Sequence, residues 1–282
     1  MGLRIQNNVE AFNTHRQLTA TATQASKSME KLSSGYRINR AADDAAGLGI
    51  SEKMRGQIGG LAQAQRNVQD GISMVQTAEG ALGEVHSMLQ RVRDLKVQYE
   101  NGTNDNNDKQ SIAAEVTQIG KEVSSILTDT KFNGISVFST ASSYQVGANE
   151  GEIITVASSP MALSTNNAAA GGLSEVTILG LSTTANVSTA FDNMTIDTID
   201  TMIKNVSDQR GKYGAAQNRF EHRLTNLATY QENLTASESR IRDVDMAAEM
   251  TKFTKLNILQ QAGTSMLAQA NQSGQGVLSL LR

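Results

Sequence analysis

The chain has 282 residues, 39% of them hydrophobic, 23 Gly and a formal charge of -3; a packed core can form, but nothing in the charge draws the chain to nucleic acid or an anionic membrane. With 6 Phe, 5 Tyr and no Trp, the interior rests on Ala, Val, Ile, Leu and 11 Met, which suit long aliphatic seams. The absence of Cys excludes disulfides, thiolate metal sites and cysteine nucleophiles. The single proline, Pro160, permits helices of unusual length, because a proline inside a helix costs about 3 kcal/mol.

The opening MGLRIQNNVEAF lacks the apolar stretch of a Sec signal peptide, so export would need another route. No run approaches the roughly 18 apolar residues of a membrane span. Met1-Gly2 is followed by Gln6 where a myristoylation signal requires Ser or Thr. Ile5, Val9 and Phe12, then Ala22, Ala25, Met29 and Leu32, keep helical spacing, while their other faces are mostly Asn, Gln, Ser, Thr and Ala. Helices with such thin stripes and few charges are poorly suited to standing alone.

The strongest periodicity follows. Leu61, Val68, Ile72, Val75, Leu82, Val85, Leu89, Val92 and Tyr99 recur in steps of three, four and seven. They predict a helix over residues 61–99, about 58 Å long. NGTNDNNDK breaks it, with Gly102 placed to end one helix and Asn107 to start the next. Ile112, Val116, Ile119, Val123 and Ile126 predict a second helix folding back on the first.

From residue 131 to about 195 the pattern becomes β-prone: Ile135–Phe138, Tyr144–Val146 and Ile153–Val156 alternate with Ser, Thr, Asn and Gly clusters. Residues 158–193 read as an exposed connection with a strand at Val176–Leu181. Ile199, Ile203, Val206, Tyr213, Phe220, Leu224, Leu227, Leu234 and Ile241 then form a further long seam. Packed together, the three seams bury large aliphatic side chains at roughly 1.5 to 3 kcal/mol each. Met246, Met250, Phe253, Leu267, Ala270, Val277, Leu278 and Leu281 close the chain in helical spacing. Both ends are expected to pair with each other and with neighbouring copies, gaining order as their stripes are buried.

The fold class is therefore mainly α: a long antiparallel helical rod, or coiled-coil bundle, with a small β-hairpin region and terminal helices that pair as an inner coiled coil. No catalytic, cofactor or metal site is legible. His15, His86 and His222 have no ligand partners at metal spacing. Asp105 to Asp108 lack the Gly and bidentate Glu of a calcium loop, Gly47 and Gly49 do not extend into a nucleotide-binding fingerprint, and the charged run Arg240 to Asp245 reads as a solvated helix face.

Two long blocks carry a family resemblance. KLSSGYRINRAADDAAGLGISEKMRGQIGGLAQAQRNVQDGISMVQTAEGAL, Lys31 to Leu82, closely resembles the amino-terminal signature of bacterial flagellins, and SRIRDVDMAAEMTKFTKLNILQQAGTSMLAQANQSGQGVLSLLR, Ser239 to Arg282, their carboxyl terminus. The match covers roughly residues 1–157 and 195–282. It implies a non-enzymatic, cofactor-free subunit of the flagellar filament. Residues 1–43 with 246–282 would form an inner terminal coiled-coil domain, and residues 44–245 an outer helical rod carrying a hairpin and variable connector at about 131–195. It also implies unfolded export through the flagellar type III apparatus to an extracellular filament. Implied partners are other copies of the chain, an export chaperone, the filament cap and hook-associated proteins, with neither nucleic acid nor membrane among them. Ile5, Val9, Phe12, Met29, Leu32, Met250, Phe253, Leu267 and Leu278 would carry subunit contacts.

LQRVRDL resembles the segment read by Toll-like receptor 5, with Gln90, Arg91, Val92 and Leu95 matching, Asp94 replacing the commoner Glu, and Glu115 matching on the next helix. Of these, Val92 and Leu95 fall on the seam, which leaves Arg91 and Asp94 as the expected exposed contacts. The final VLSLLR, with Val277, Leu278, Leu280, Leu281 and Arg282, resembles the segment sensed by NAIP-type inflammasome receptors and lies where the family's chaperone binds. Tyr144 stands where the family usually has Phe. The alternative within the superfamily is a hook-filament junction protein, whose relatives diverge in the Lys31 to Leu82 signature.

Overall fold

The computed structural model of the chain describes residues 8–139, 141–156, 191–192 and 194–280, with side chains through residue 272. The expected Val176–Leu181 strand lies outside the described residues. Five long helices account for most of the described chain: α1 (Val9–Ser34), α2 (Ala45–Tyr99), α3 (Asn106–Asp129), α4 (Ile196–Arg242) and α5 (Met246–Leu280). The strands β1 (Lys131–Phe132), β2 (Ile135–Ser136), β3 (Ser142–Gln145) and β4 (Ile153–Val156) form two antiparallel hairpins. The mainly α class with a small hairpin region is thus the observed one. The chain falls into two compact units, Gly59–Gln231 and Met1–Ile58 with Glu232–Arg282, to both of which α2 and α4 contribute.

In the unit Gly59–Gln231 the heptad residues do what their spacing requires. Leu61, Val68, Val75, Leu82, Val85, Leu89, Val92 and Tyr99 are buried, and Ile72 is half-buried. They face Ile199, Met202, Val206, Tyr213, Phe220 and Leu227 of α4, and Ile112, Val116, Val123 and Leu127 of α3, all buried as well. α2 starts well before Leu61, at Ala45, and its 55 residues span about 82 Å. The glycines that hide the periodicity there remain compatible with a helix because no proline interrupts it.

Cross-helix pairs fix the direction of packing. Along α2 from Arg93 to Gln65, the partners on α4 advance: Arg93 Nε meets Asp200 Oδ1 at 2.6 Å, Glu79 Oε1 meets Arg210 at 3.6 Å, and Gln65 Nε2 donates to Gln231 Oε1 at 2.8 Å. Between Glu79 and Gln65, Gly71 lies so close to Phe220 that a Cβ would sit 2.9 Å from the ring. α3 runs back along α2 in the same sense, with Lys109 over the Tyr99 ring and Arg91 Nη2 2.7 Å from Glu115 Oε1.

The turn into α3 departs from expectation by two residues. Asp105, not Asn107, is the N-cap: it forms a capping box with Asp108, whose carboxylate accepts the Asp105 N–H at 3.3 Å. Acidic groups here satisfy backbone donors and the positive helix end. The hairpin turn Asn133-Gly134 has φ of 50° and 79°, the left-handed pair demanded by a two-residue type I′ loop. Val137 and Phe138, expected in a strand, are instead buried in the turn that follows.

The second hairpin is bound to the helices. Asn67 Nδ2 donates to Gln145 O at 3.1 Å, Arg223 Nε to Val146 O at 2.9 Å, and Ala148 packs against Gly60, where a Cβ would meet it at 3.0 Å. The Tyr144 ring meets Phe220 edge-on, with centroids 5.6 Å apart. Burial raises the Tyr144 phenol pKa. Lys96, though 2% exposed, is satisfied. Its ammonium donates to Phe191 O at 2.9 Å, lies 3.4 Å from Glu100, and faces the rings of Tyr99 and Phe191.

Leu89→Ala removes a fully buried side chain from the α2 seam, so it is expected to destabilise the unit Gly59–Gln231 by about 2–5 kcal/mol. Urea denaturation followed by circular dichroism measures the loss; a change within about 0.5 kcal/mol would contradict this account of the seam.

Candidate assembly surface

α1 and α5 pair antiparallel through a narrow seam. On α1 its buried members are Thr21, Ala25 and Ser28, with Ala11, Thr14, Leu18 and Leu32 half-buried in the same register. On α5 it is Glu249, Phe253, Leu256, Gln260, Gly263, Leu267 and Ala270, stepping by four and three, with Leu256 and Ala270 buried. Three pairs set the direction: Ser28 Oγ donates to Glu249 Oε1, a Cβ at Gly263 would lie 3.1 Å from Leu18, and Asn8 Nδ2 donates to Ala270 O at 2.8 Å. Asn8 also caps α1, accepting from Ala11 N at 3.0 Å. Small residues let the backbones approach, and they bury little apolar area.

At one end of the seam, the α1–α2 and α4–α5 turns bridge. Gly35, at φ 76°, ends α1 by returning its N–H to Lys31 O at 2.9 Å, a left-handed cap that favours glycine. Arg37 N donates to Arg242 O at 2.6 Å and Val244 N to Gly35 O at 3.0 Å. The Arg242 guanidinium lies over the Tyr36 ring and 2.7 Å from Glu52. Asp245 caps α5, its Oδ1 accepting from Ala247 N at 3.0 Å and Ala248 N at 3.1 Å. The run Arg240 to Asp245 is therefore more than a solvated face: Arg242 and Asp245 hold the turn between two helices. Periodicity had no means of showing this, because both act on groups far away in sequence or on backbone.

Other large apolar side chains stay outside the seam. Phe12 is 70% exposed and Val9 61%, and Met29, Met246, Met250, Ile258, Leu259 and Met266 are exposed too. Among the expected subunit contacts, Val9, Phe12, Met29 and Met250 are thus open, while Leu32, Phe253 and Leu267 are half-buried at the seam. Ile5, Leu281 and Arg282 lie outside the described residues; Val277, Leu278 and Leu280 fall within the span of α5, but their side chains lie outside them. Exposed Ile258, Leu259 and Met266 were missed by reading for the seam, since they sit on α5 faces that do not repeat with it.

On α2, Gln90, Arg91 and Asp94 are exposed, and Arg91 pairs with Glu115. Val92 and Leu95 are buried in the bundle, so a partner approaching this face meets the polar residues and Val97, which is exposed one turn beyond Asp94. Among the described residues, no three His, Asp or Glu side chains gather as a metal site, and no helix is long and apolar enough to cross a membrane.

Long antiparallel helices joined from distant parts of the chain, with terminal helices that leave large apolar faces uncovered, define a structural helical subunit. Comparison with known proteins identifies the family. Residues 5–143 match the bacterial flagellin N-terminal helical region and residues 196–281 the C-terminal helical region. The chain is 50% identical over 281 residues to a flagellin of Halalkalibacterium halodurans, covering 99% of each chain, and 48% identical to a flagellin of Bacillus subtilis, covering 99% of this chain and 100% of that one. It is 44% identical to the flagellar filament 33 kDa core protein of Treponema phagedenis, covering 99% of each. The chain belongs to the bacterial flagellin family, and its role is that of a filament structural subunit.

Glu249 is expected to make the α1–α5 seam sensitive to acid. Burial pushes its carboxyl up, but the Ser28 hydroxyl and the Lys252 ammonium outweigh that, and its pKa lies below the ordinary glutamate value. A lowered folded-state pKa adds stability at pH above the unfolded value, and that stability is lost as pH falls through the folded one. Between pH 6 and pH 3 the terminal helices are expected to lose thermal stability, and to lose less of it in Glu249→Gln. Equal acid sensitivity of both proteins in melts followed by circular dichroism would exclude Glu249 as a source.

Proposed function

We propose that the chain reaches the cell exterior unfolded through the flagellar type III apparatus and assembles by burying the exposed faces of α1 and α5 against other copies of itself. The carrying observation is the division of apolar side chains within the terminal pair: Leu256 and the half-buried Leu18, Leu32, Phe253 and Leu267 share the seam with small residues, and Phe12, Val9, Met250 and Ile258 are left in water. An isolated pair of this kind is weakly stabilised, whereas each large side chain buried by a neighbouring copy contributes roughly 1.5 to 3 kcal/mol. Contacts between unlike patches do not close on themselves and so generate a helical filament. In this reading the inner domain comprises residues 1–43 with 246–282 and the outer domain residues 44–245.

Before assembly such faces need a cover, the role of an export chaperone at the carboxyl terminus, while the filament cap and hook-associated proteins would meet the same surfaces at the filament ends. The polar face of Gln90, Arg91, Asp94 and Glu115 is the surface available to Toll-like receptor 5, and Val277 to Arg282 the segment for NAIP-type sensors.

Full-length Phe12→Asp is expected to melt within about 0.5 kcal/mol of the parent, because the position is exposed, yet to fail to extend filament seeds. Deletion of residues 1–30 or 250–282 should likewise leave the unit Gly59–Gln231 folded and abolish growth. Filaments of either protein in electron micrographs would refute the assembly reading. For the receptor face, Arg91→Ala should lower receptor activation at least tenfold while changing stability by no more than about 1 kcal/mol, the value of an exposed ion pair; unchanged activation in a reporter-cell titration would remove Arg91 from that surface.

A further inference from the structure

We propose that Met29, Met246, Met250 and Met266 form an oxidation-sensitive set spread over the exposed flanks of the terminal helices: peroxide converts their thioethers to sulfoxides and withdraws the free subunit from assembly, and enzymatic reduction returns it. The inference rests on the reading that the exposed faces of α1 and α5 are the assembly surface.

The distribution of methionine supports it. With no Cys and no Trp in the chain, methionine is the side chain most open to two-electron oxidation. Among the described residues the methionines are partitioned by place. Met74, Met194 and Met202 are at most 4% exposed and Met54 and Met88 are half-buried, whereas Met29, Met246, Met250 and Met266 are 56%, 48%, 50% and 60% exposed. All four belong to the unit of the terminal helices. Met246 and Met250, one turn apart, flank the seam on one side of α5, and Leu259 and Met266 flank it on the other. An oxidant in solution therefore reaches both flanks of the terminal pair while the core methionines of the helical bundle are shielded.

The forward step needs only peroxide, and the return step needs a dithiol reductant, whose two thiols close to a disulfide while the sulfoxide oxygen leaves as water. A sulfur lone pair attacks one peroxide oxygen, the O–O bond breaks, and the leaving hydroxide takes the remaining proton, so thioether and hydrogen peroxide give sulfoxide and water. The product is polar and chiral, and an apolar contact surface made partly of such groups must desolvate them to form. Once a filament has formed, the same side chains are covered, so oxidation discriminates between free and assembled subunits.

The test uses the full chain. Free subunits treated with hydrogen peroxide are expected, among the nine methionines of the described residues, to carry sulfoxide first at these four positions by peptide mass mapping, to keep their helicity, and to extend seeds at least tenfold more slowly. Methionine sulfoxide reductases should restore the rate, and a chain carrying Met29→Leu, Met246→Leu, Met250→Leu and Met266→Leu should extend seeds normally and resist peroxide. The proposal is overturned if subunits oxidised at all four positions elongate within twofold of untreated ones, or if the leucine variant is inhibited equally. Reductase rescue of the unaltered chain decides the matter without relying on that variant. Phe12→Asp separates the two ideas: if it extends seeds, the assembly reading itself fails; if it does not while oxidised subunits do, only the oxidation-sensitive set fails.

Discussion

Two helices can approach closely only where their facing side chains are small, and close approach of this sort leaves the larger side chains somewhere else. In the terminal pair Ser28 meets Glu249 and Leu18 meets Gly263, with Leu256 buried and Phe253 and Leu267 half-buried on the same face of α5, so the seam is narrow and takes in only part of the apolar surface of the two helices. Phe12, Val9 and the exposed methionines are what remains. A monomer in which these groups were inside would bury more apolar surface and expose less. A narrow seam within one molecule and large apolar side chains left in water are thus two results of one choice of residues.

The other unit shows the opposite solution. Val68, Val75, Leu82, Leu89 and Val92 are wholly buried against partners from α3 and α4, and polar cross-links such as Arg93–Asp200 and Gln65–Gln231 hold the register. The β3–β4 hairpin lies on these helices through Asn67, Arg223 and the Tyr144–Phe220 contact. Tyr144 makes this contact through its ring.

The seam residues from Leu61 to Tyr99 and from Ile199 to Leu227 were legible because burial on one side of a long helix imposes a repeat that survives in the sequence. The Asn133-Gly134 turn was not singled out, although its dipeptide is a strong local signal. The α1–α5 seam was legible only in part. Ala25, Leu32, Phe253, Leu267 and Ala270 belong to the stripes that the sequence carries, whereas Thr21, Ser28, Glu249 and Gly263 add no apolar periodicity, and Val9, Phe12 and Met29 of the same stripes face outward. Arg242 and Asp245 escaped because a charged run says nothing about the aromatic ring, carboxylate or backbone amides that it will meet.

By itself the sequence determined the class of the fold, the location of the long helices and the family, since each depends on local periodicity or on ordered blocks of residues. Tertiary structure alone decided which side of each terminal helix is spent on its partner. Spacing places side chains around a helix axis but does not select the face a neighbour will use, and that selection depends on how near the two backbones can come.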